Sequence, residues 1–327
     1  MQTSAIDSLE PRAIDAELDP DRAMLEAFLR LYWLRPTTAL SHAIEALTLR
    51  DVEFSGPMLE LGCGDGYASF LRAGGRFAAD FDAYMQPERL PPVRRDGDPL
   101  DWSRVPVPRR VHEPQFRIAI GVDCSAALAA KARVLGLYDQ VIALDQEPPS
   151  FDTGRFAAIY CNLLRWSLDF PETLRQAARW LRPDGQLVVQ VPSETFREYS
   201  VLEQLRETAS ASGWQALLRL DRGRNQLSHY CRSFDEWAEL FAACGLAVHN
   251  CRRYLSKPVI QAWDIGLTPV LPYLVEMTAK LGSTDRSDIK RKWVAGLVNL
   301  LAPLCRLDWP SDREAPPGMY RFVLKSG

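Results

Sequence analysis

The residues with the most chemical content lie in one short run, Glu60-Leu61-Gly62-Cys63-Gly64-Asp65-Gly66. An apolar stretch, Met58 to Leu61, carries an acidic residue, and glycine then occupies every second position. Glycine accepts left-handed backbone angles and has no side chain to hold a ligand away, so this spacing makes a tight turn open to close approach. The next segment, Tyr67–Arg72, reads as the opening of a helix, whose free amides would face a ligand. A purely structural tight turn would use the same pattern, so the glycines gain meaning from the polar strand ends further along the chain. RIAIGVD ends in Asp123, QVIALDQ ends in Asp145 and Gln146, and FAAIYCN ends in Asn162. An acid in the place of Asp123 accepts hydrogen bonds from both hydroxyls of a ribose, and Asp145 with Gln146 suits an adenine amino group.

Proton chemistry has fewer candidates. The histidines are His42, His112, His229 and His249. No two stand at metal-ligand spacing, so no metal site is expected. His229 and Tyr230, in LSHYCRSFDEW ahead of a helical pattern, form the candidate catalytic pair, with His229 as base. A surface or helix-capping histidine is the competing reading. His112 lies among prolines and His249 inside an apolar strand, so both rank below it. Cys161 reads as an inert buried thiol. Tyr67, Tyr84 and Tyr160 are candidates for lining a pocket, because aromatic faces attract cations. Core packing is the other explanation for them.

These positions need a scaffold. Apolar runs at Met58–Leu61, Ile118–Val122, Gln140–Leu144, Phe156–Cys161 and Gln186–Val191 alternate with helical patterns near Ala126–Gly136 and Pro171–Leu181. A helix over Ser233–Cys244 and strands at Leu246–Tyr254 and Tyr320–Leu324 complete the series. Continuous apolar strands between helices predict a parallel sheet covered on both faces, the doubly wound α/β architecture. The polar residues named above then fall at carboxyl ends of strands, where open α/β sheets bind ligands. In front of the sheet, residues 1–20 read as a loose arm, followed by helices from Arg22 to Leu34 and from Thr38 to Leu49.

Two stretches break the rhythm. Residues 76–116 carry Pro87, Pro91, Pro92, Pro99, Pro106, Pro108 and Pro114, whose fixed φ angles and missing amide donors are expected to exclude regular helix and sheet. Residues 255–318 are richer in Trp, Leu and Lys and predict two or three helices, serving as a lid, a helical layer or a dimer interface. The expected organisation is an arm and helical cap at 1–50, a core at 51–254, a helical insertion at 255–318 and a last strand at 319–327.

With 39 basic and 42 acidic residues among 327, the net charge is −3, which opposes sequence-independent nucleic-acid binding. Seven cysteines without a Cys-x-x-Cys pair predict reduced thiols and a cytoplasmic protein. The N-terminal residues lack the apolar core of a signal peptide. The apolar stretch from Trp293 to Cys305 contains Asn299 and Pro303 and is too short for a bilayer crossing.

Taken in order, ELGCGDG, GVD, ALDQ, AAIYCN and LRPDGQLVVQVP resemble the motifs of class I S-adenosylmethionine-dependent methyltransferases. The resemblance covers about residues 56–195 and continues more faintly through SFDEWAELFAACGLAV. A nicotinamide-binding domain would more often show Gly-x-Gly-x-x-Gly, and here the third glycine comes one residue earlier. The resemblance implies a Rossmann-like fold and S-adenosylmethionine as cofactor. It implies that Glu60 orients the cofactor's amino group, that Gly62, Cys63 and Gly64 contact its aminoacyl part within the turn closed by Gly66, and that Asp123 holds the ribose with Cys124 under the adenine. Asp145 and Gln146 would read the adenine edge, and Asn162 would offer a carbonyl near the ammonium. Tyr32 or Trp33 would reach the carboxylate end. The interval from Gly66 to Asp123 is far longer than the family's, since the proline-rich insertion falls within it.

No Asn/Asp-Pro-Pro-aromatic motif and no Pro-Cys pair follow the fourth strand, which disfavours amino-group methylation of adenine or glutamine and chemistry at cytosine C5. The implied activity is methyl transfer to a small organic acceptor in secondary metabolism, an in-line displacement aided by proximity. Two alternatives stay open. S-adenosylmethionine itself could cyclise to azetidine-2-carboxylate and methylthioadenosine, with no further partner, or the chain could bind it without chemistry. A homodimer is also an open option.

Overall fold

The computed structural model describes residues 19–84, 108–144, 149–161, 169–206, 208–215, 227, 229–265, 271–307 and 316–327. Two helices come first, α1 (Pro20–Leu31) and α2 (Pro36–Leu47). Asp19 caps α1 by accepting from the amides of Asp21 and Arg22, both at 3.2 Å. Each helix starts on a proline, whose missing N–H costs nothing in a first turn. The core follows as β1 (Met58–Leu61), α3 (Tyr67–Arg72), β2 (Arg76–Phe77), β3 (Arg110–His112), β4 (Ile118–Asp123), α4 (Ala126–Arg133), β5 (Tyr138–Ala143) and β6 (Phe156–Cys161). Then come α5 (Phe170–Trp180), β7 (Leu181–Pro192), two short helices α6 (Thr195–Tyr199) and α7 (Val201–Arg206), α8 (Phe234–Ala243) and β8 (Leu246–Tyr254). Three helices, α9 (Lys257–Ile265), α10 (Leu271–Ala279) and α11 (Ser283–Leu307), precede the last strand, β9 (Met319–Ser326).

One seven-stranded sheet runs in the order β5-β4-β1-β6-β7-β9-β8. Strands β5, β4, β1, β6 and β7 are mutually parallel, and β1 and β6 are buried throughout. From β1 the chain builds outward to β4 and β5, then returns to the other side at β6. The crevice where strand order reverses therefore opens at the carboxyl edge of β1, which is where such sheets bind ligands.

Two expectations are corrected. The sheet is mixed rather than wholly parallel, because β9 pairs antiparallel with both β7 and β8. Tyr254 at the end of β8 pairs with Met319 at the start of β9, and the Gly318 amide donates to the Leu255 carbonyl at 2.8 Å. The chain thus re-enters the sheet at the edge where it left, so it can only run back. The proline-rich insertion is also not free of sheet, since β2 and β3 pair antiparallel. Its prolines lie between or beyond these strands, leaving both ends free to form a ladder.

The cap, the insertion and the late helices meet at one buried carboxylate. Asp82 accepts from Trp33 Nε1 at 3.0 Å, from the Tyr84 amide at 2.8 Å and from Arg286 Nε of α11 at 2.8 Å. Only 7% of the Arg286 side chain and 5% of that of Asp82 is exposed. The Arg286 guanidinium also lies over the Trp33 ring, 5.2 Å from its centroid, and Trp293 Nε1 donates to the Trp33 carbonyl at 2.8 Å. Lys290, one turn along α11, donates to the Phe81 carbonyl, and burial lowers its ammonium to about 8. A buried ion pair is costly to break from one side only, because the remaining charge stays desolvated. Asp82→Ala is expected to lower stability by about 3–5 kcal/mol in urea unfolding. The double substitution Asp82→Leu with Arg286→Met should recover most of that loss.

Candidate cofactor site

The glycine turn adopts the geometry that its spacing demands. Gly62, Gly64 and Gly66 have φ of 81°, 57° and 75°, all in the region that side chains disfavour. The amides of Gly62 and Cys63 both donate to the Val122 carbonyl, at 2.8 and 3.0 Å, which ties the turn to the end of β4. Asp123, 3% exposed, then clamps it. One carboxylate oxygen accepts from the Gly64 amide at 2.8 Å, and the other from the Ser125 amide at 2.8 Å, where α4 begins. Each oxygen keeps a further lone pair for a ligand hydroxyl. A Cβ at Gly66 would stand 2.8 Å from Leu135 and 2.9 Å from Tyr138, whereas one at Gly64 would meet nothing within 4 Å. The floor of the turn is packed, and its mouth is an open cradle of backbone amides and carbonyls.

Beneath the turn, Glu60 accepts from Ser69 Oγ at 2.6 Å and from the Tyr138 hydroxyl at 2.9 Å. Burial pushes its carboxyl up, and Arg72 with these two donors pulls it back. The Arg72 guanidinium is packed among Phe54, Phe116 and Tyr160, 4.7 to 5.3 Å from their ring centroids. Above the turn, burial also raises Asp65, while the Tyr67 amide at 3.0 Å, Lys131 and His42 pull it down. Tyr32, at the end of α1, is buried, and its phenol is pushed up first by that burial and then by Asp65. On α2, His42 Nδ1 lies 3.0 Å from Glu45 Oε2, and its ring packs on Tyr32 with centroids 5.5 Å apart. Three acidic residues thus lie at the turn, with Asp65 and Asp123 in or beside it and Glu60 beneath it.

The model of a methyltransferase domain matches residues 32–250, which take in the turn, Asp123 and the strands through β8. The chain belongs to this methyltransferase family. Its cofactor is S-adenosylmethionine. Similar solved structures include a possible histamine N-methyltransferase from Thermotoga maritima, 13% identical, covering 94% of this chain and all of that one at a TM-score of 0.43. An S-adenosylmethionine-dependent methyltransferase from Thiobacillus denitrificans, solved with S-adenosyl-L-homocysteine, is 15% identical, with full coverage of both chains and a TM-score of 0.41. A geranyl diphosphate C-methyltransferase from Streptomyces coelicolor is 14% identical, covering 90% of this chain and 84% of that one at 0.38. No curated protein matches the chain by sequence.

In this methyltransferase the structure brings Gly62, Cys63, Gly64, Gly66 and Asp123 together at the end of β4, with Glu60 beneath them, and Tyr32 packs on His42 of α2. Cys63 is buried and Cys124 is exposed beside Asp123. Asp145, Gln146 and Asn162 lie outside the described residues. Both oxygens of Glu60 are engaged within the chain, so its carboxylate braces the turn from below. His229 is exposed and, among the described residues, makes no hydrogen bond or ion pair that would fix its tautomer. Tyr230 is half-buried, and its carbonyl accepts from Arg232 at 3.3 Å. Among the described residues no cluster of His, Cys, Asp and Glu could hold a metal ion, and no helix is long and apolar enough to cross a membrane.

Sequence reasoning missed the braces Ser69 and Tyr138 and the pair His42 and Glu45. The pair had a readable signal, because residues three apart on a helix are neighbours. Tyr138 had none, since its partner lies 78 residues away. Substitution of the two glycines should separate floor from mouth. Gly66→Ala combines a left-handed alanine with a clash and is expected to cost about 2–4 kcal/mol of stability in urea unfolding. Gly64→Ala should cost only about 1–2 kcal/mol, yet weaken S-adenosylmethionine binding in calorimetry more than its stability loss predicts.

Proposed function

We propose that this methyltransferase acts on a small organic acceptor enclosed beneath its helical cap. The observation that supports this is the junction at Asp82, which locks Trp33, the insertion and α11 into one unit. In that unit α1 packs on α3, the helix that the glycine turn opens, and α11 packs on both α1 and α2. A large substrate needs an open edge, whereas a cap fixed by buried charges suits a small molecule and excludes water.

The cradle fits the cofactor. Gly64 leaves room where a ligand approaches, and Asp123 is held still with acceptor capacity to spare. In our reading Asp123 holds both ribose hydroxyls, with Cys124 under the adenine. The backbone of Gly62, Cys63 and Gly64 receives the aminoacyl part, and Gly66 lets α3 begin directly below. Glu60 acts on the cofactor's amino group through the backbone that it braces, and Tyr32 flanks the carboxylate end. Asp145 and Gln146 serve the adenine edge, and Asn162 serves the ammonium. When bound, the cofactor supplies a methyl group activated by its sulfonium charge.

Asp123→Ala should weaken S-adenosylmethionine binding by about 1–3 kcal/mol in titration calorimetry, the scale of charged hydrogen bonds. Unchanged affinity would refute the ribose assignment. Incubation with S-adenosylmethionine alone should yield no methylthioadenosine, and its release would replace transfer by cyclisation.

A further inference from the structure

Arg72, the last residue of α3, carries a charge that its own contacts do not explain. Its guanidinium is packed among the rings of Phe54, Phe116 and Tyr160. Nε and Nη2 are both buried, and among the described residues neither finds a hydrogen-bond acceptor and the group makes no ion pair. Burying a charge with unmet donors is costly, and an apolar side chain would fill the same space without that cost. The charge therefore answers a need other than packing.

The fold sets it over Glu60. Ser69 and Arg72 stand three residues apart on α3 and so share a face. Glu60 of β1 and Tyr160 of β6 are register partners, so their side chains rise from the same face of the sheet. Ser69 Oγ donates to Glu60 at 2.6 Å, and Arg72 lies over the Tyr160 ring, so the two contacts run side by side. The other titratable or charged groups facing Glu60 are Asp123 at the end of β4, Tyr138 of β5, Tyr160 and Cys63 of the turn. Burial pushes both phenols and the thiol up and keeps them neutral, while Asp123 repels a second negative charge. Among the described residues, Arg72 is the cation that balances Glu60.

We propose that Arg72 is a positioning residue of the cofactor site: its charge keeps Glu60 an anion, and that anion holds the glycine turn in its binding shape. The proposal rests on the reading above in which Glu60 acts through the turn that it braces. Both oxygens of Glu60 accept, one from Ser69 and the other from the Tyr138 hydroxyl. A neutral carboxyl carries a proton on one of them, so one of these bonds must reverse or break. Either α3 is then loosened at Ser69, or the Tyr138 ring is released from beneath Gly66. Bonds to a charged acceptor are also the stronger ones. A carboxyl is ionised above its folded pKa, so the brace fails as pH falls through that value, and without Arg72 the failure starts at higher pH.

The test uses the full-length chain with Arg72→Met, which keeps bulk without charge, and Arg72→Lys, which keeps the charge. Each is made with and without Glu60→Gln, and S-adenosylmethionine affinity is measured by calorimetry from about pH 8.5 to about pH 5.5. The acid-side loss of affinity in Arg72→Met should lie at least about one pH unit above that of the wild type, an affinity deficit of about tenfold on the slope. Arg72→Lys should follow the wild type, and in the Glu60→Gln background Arg72→Met should cause no shift. No shift, a shift that survives in Glu60→Gln, or an equal loss at every pH would overturn the proposal. Failure of the wild type to bind S-adenosylmethionine would overturn the cofactor reading and this one together, whereas normal binding without the shift overturns this one alone. A second readout needs neither cofactor nor an Arg72 variant. In ¹³C NMR of labelled glutamate, the Glu60 carboxyl, assigned by its loss in Glu60→Gln, should be ionised near pH 7 in the wild type; a neutral carboxyl there would also overturn the proposal.

Discussion

The Asp123 carboxylate, nearly inaccessible at the end of β4, is shared between two backbone amides. One belongs to the glycine turn after β1 and the other to the first turn of α4, so a single side chain sets the spacing between two neighbouring strand ends. Left-handed residues are adaptable, and three of them within five positions would leave the loop free to sample many shapes. Hydrogen bonds to a charged acceptor are among the stronger ones, and here they hold the loop in one shape. The rest of the crevice depends on that restraint. Glu60 fixes the loop from below through Ser69 and Tyr138, and the Tyr138 ring also fills the space beneath Gly66 and Gly121. Pre-organisation of this kind spares a ligand the entropy of ordering its own site.

Charge in the crevice has a consistent sign. Glu60 and Asp65 are both raised by desolvation, and Arg72 and Lys131 offset part of that cost. A sulfonium with an ammonium group would relieve the same strain, which matches the cofactor of the family. The cap obeys another logic. Its charges at Asp82 and Arg286 face each other rather than the crevice, and aromatic rings around Trp33 and Phe81 exclude water from them. One set of buried charges serves binding, and the other serves closure.

Legibility from the sequence tracks the range of the interactions involved. Strands β1, β4 and β6 and helices α4, α5 and α8 were legible, because periodicity and capping residues such as Ser233 act within one element. The glycine turn and Asp123 were legible because their chemistry is carried by residue type at a strand end. The direction of β9 was not, since it depends on where α9, α10 and α11 dock. Nor was the ion pair of Asp82 with Arg286, whose partners lie 204 residues apart. Histidine shows the same limit, because sequence pattern singled out His229 and said nothing of how His42 is held. Local pattern places a histidine near a helix start, but only the packing of α2 against Tyr160 and Gln190 shows which histidine is held in place.

The placement of β9 has a consequence for biosynthesis. The described pairings of β8 run to β9 alone, and β9 also fills the gap beside β7. While the nascent polypeptide emerges, β8 has no neighbour to zip against. Two of the sheet's six strand pairings thus wait for residues 319–326, so ordering of that flank comes late and all at once, with a long loop closed in the process. Until then, the α8 rings Phe234 and Phe241 lack Phe322 of β9, on which they pack in the folded chain.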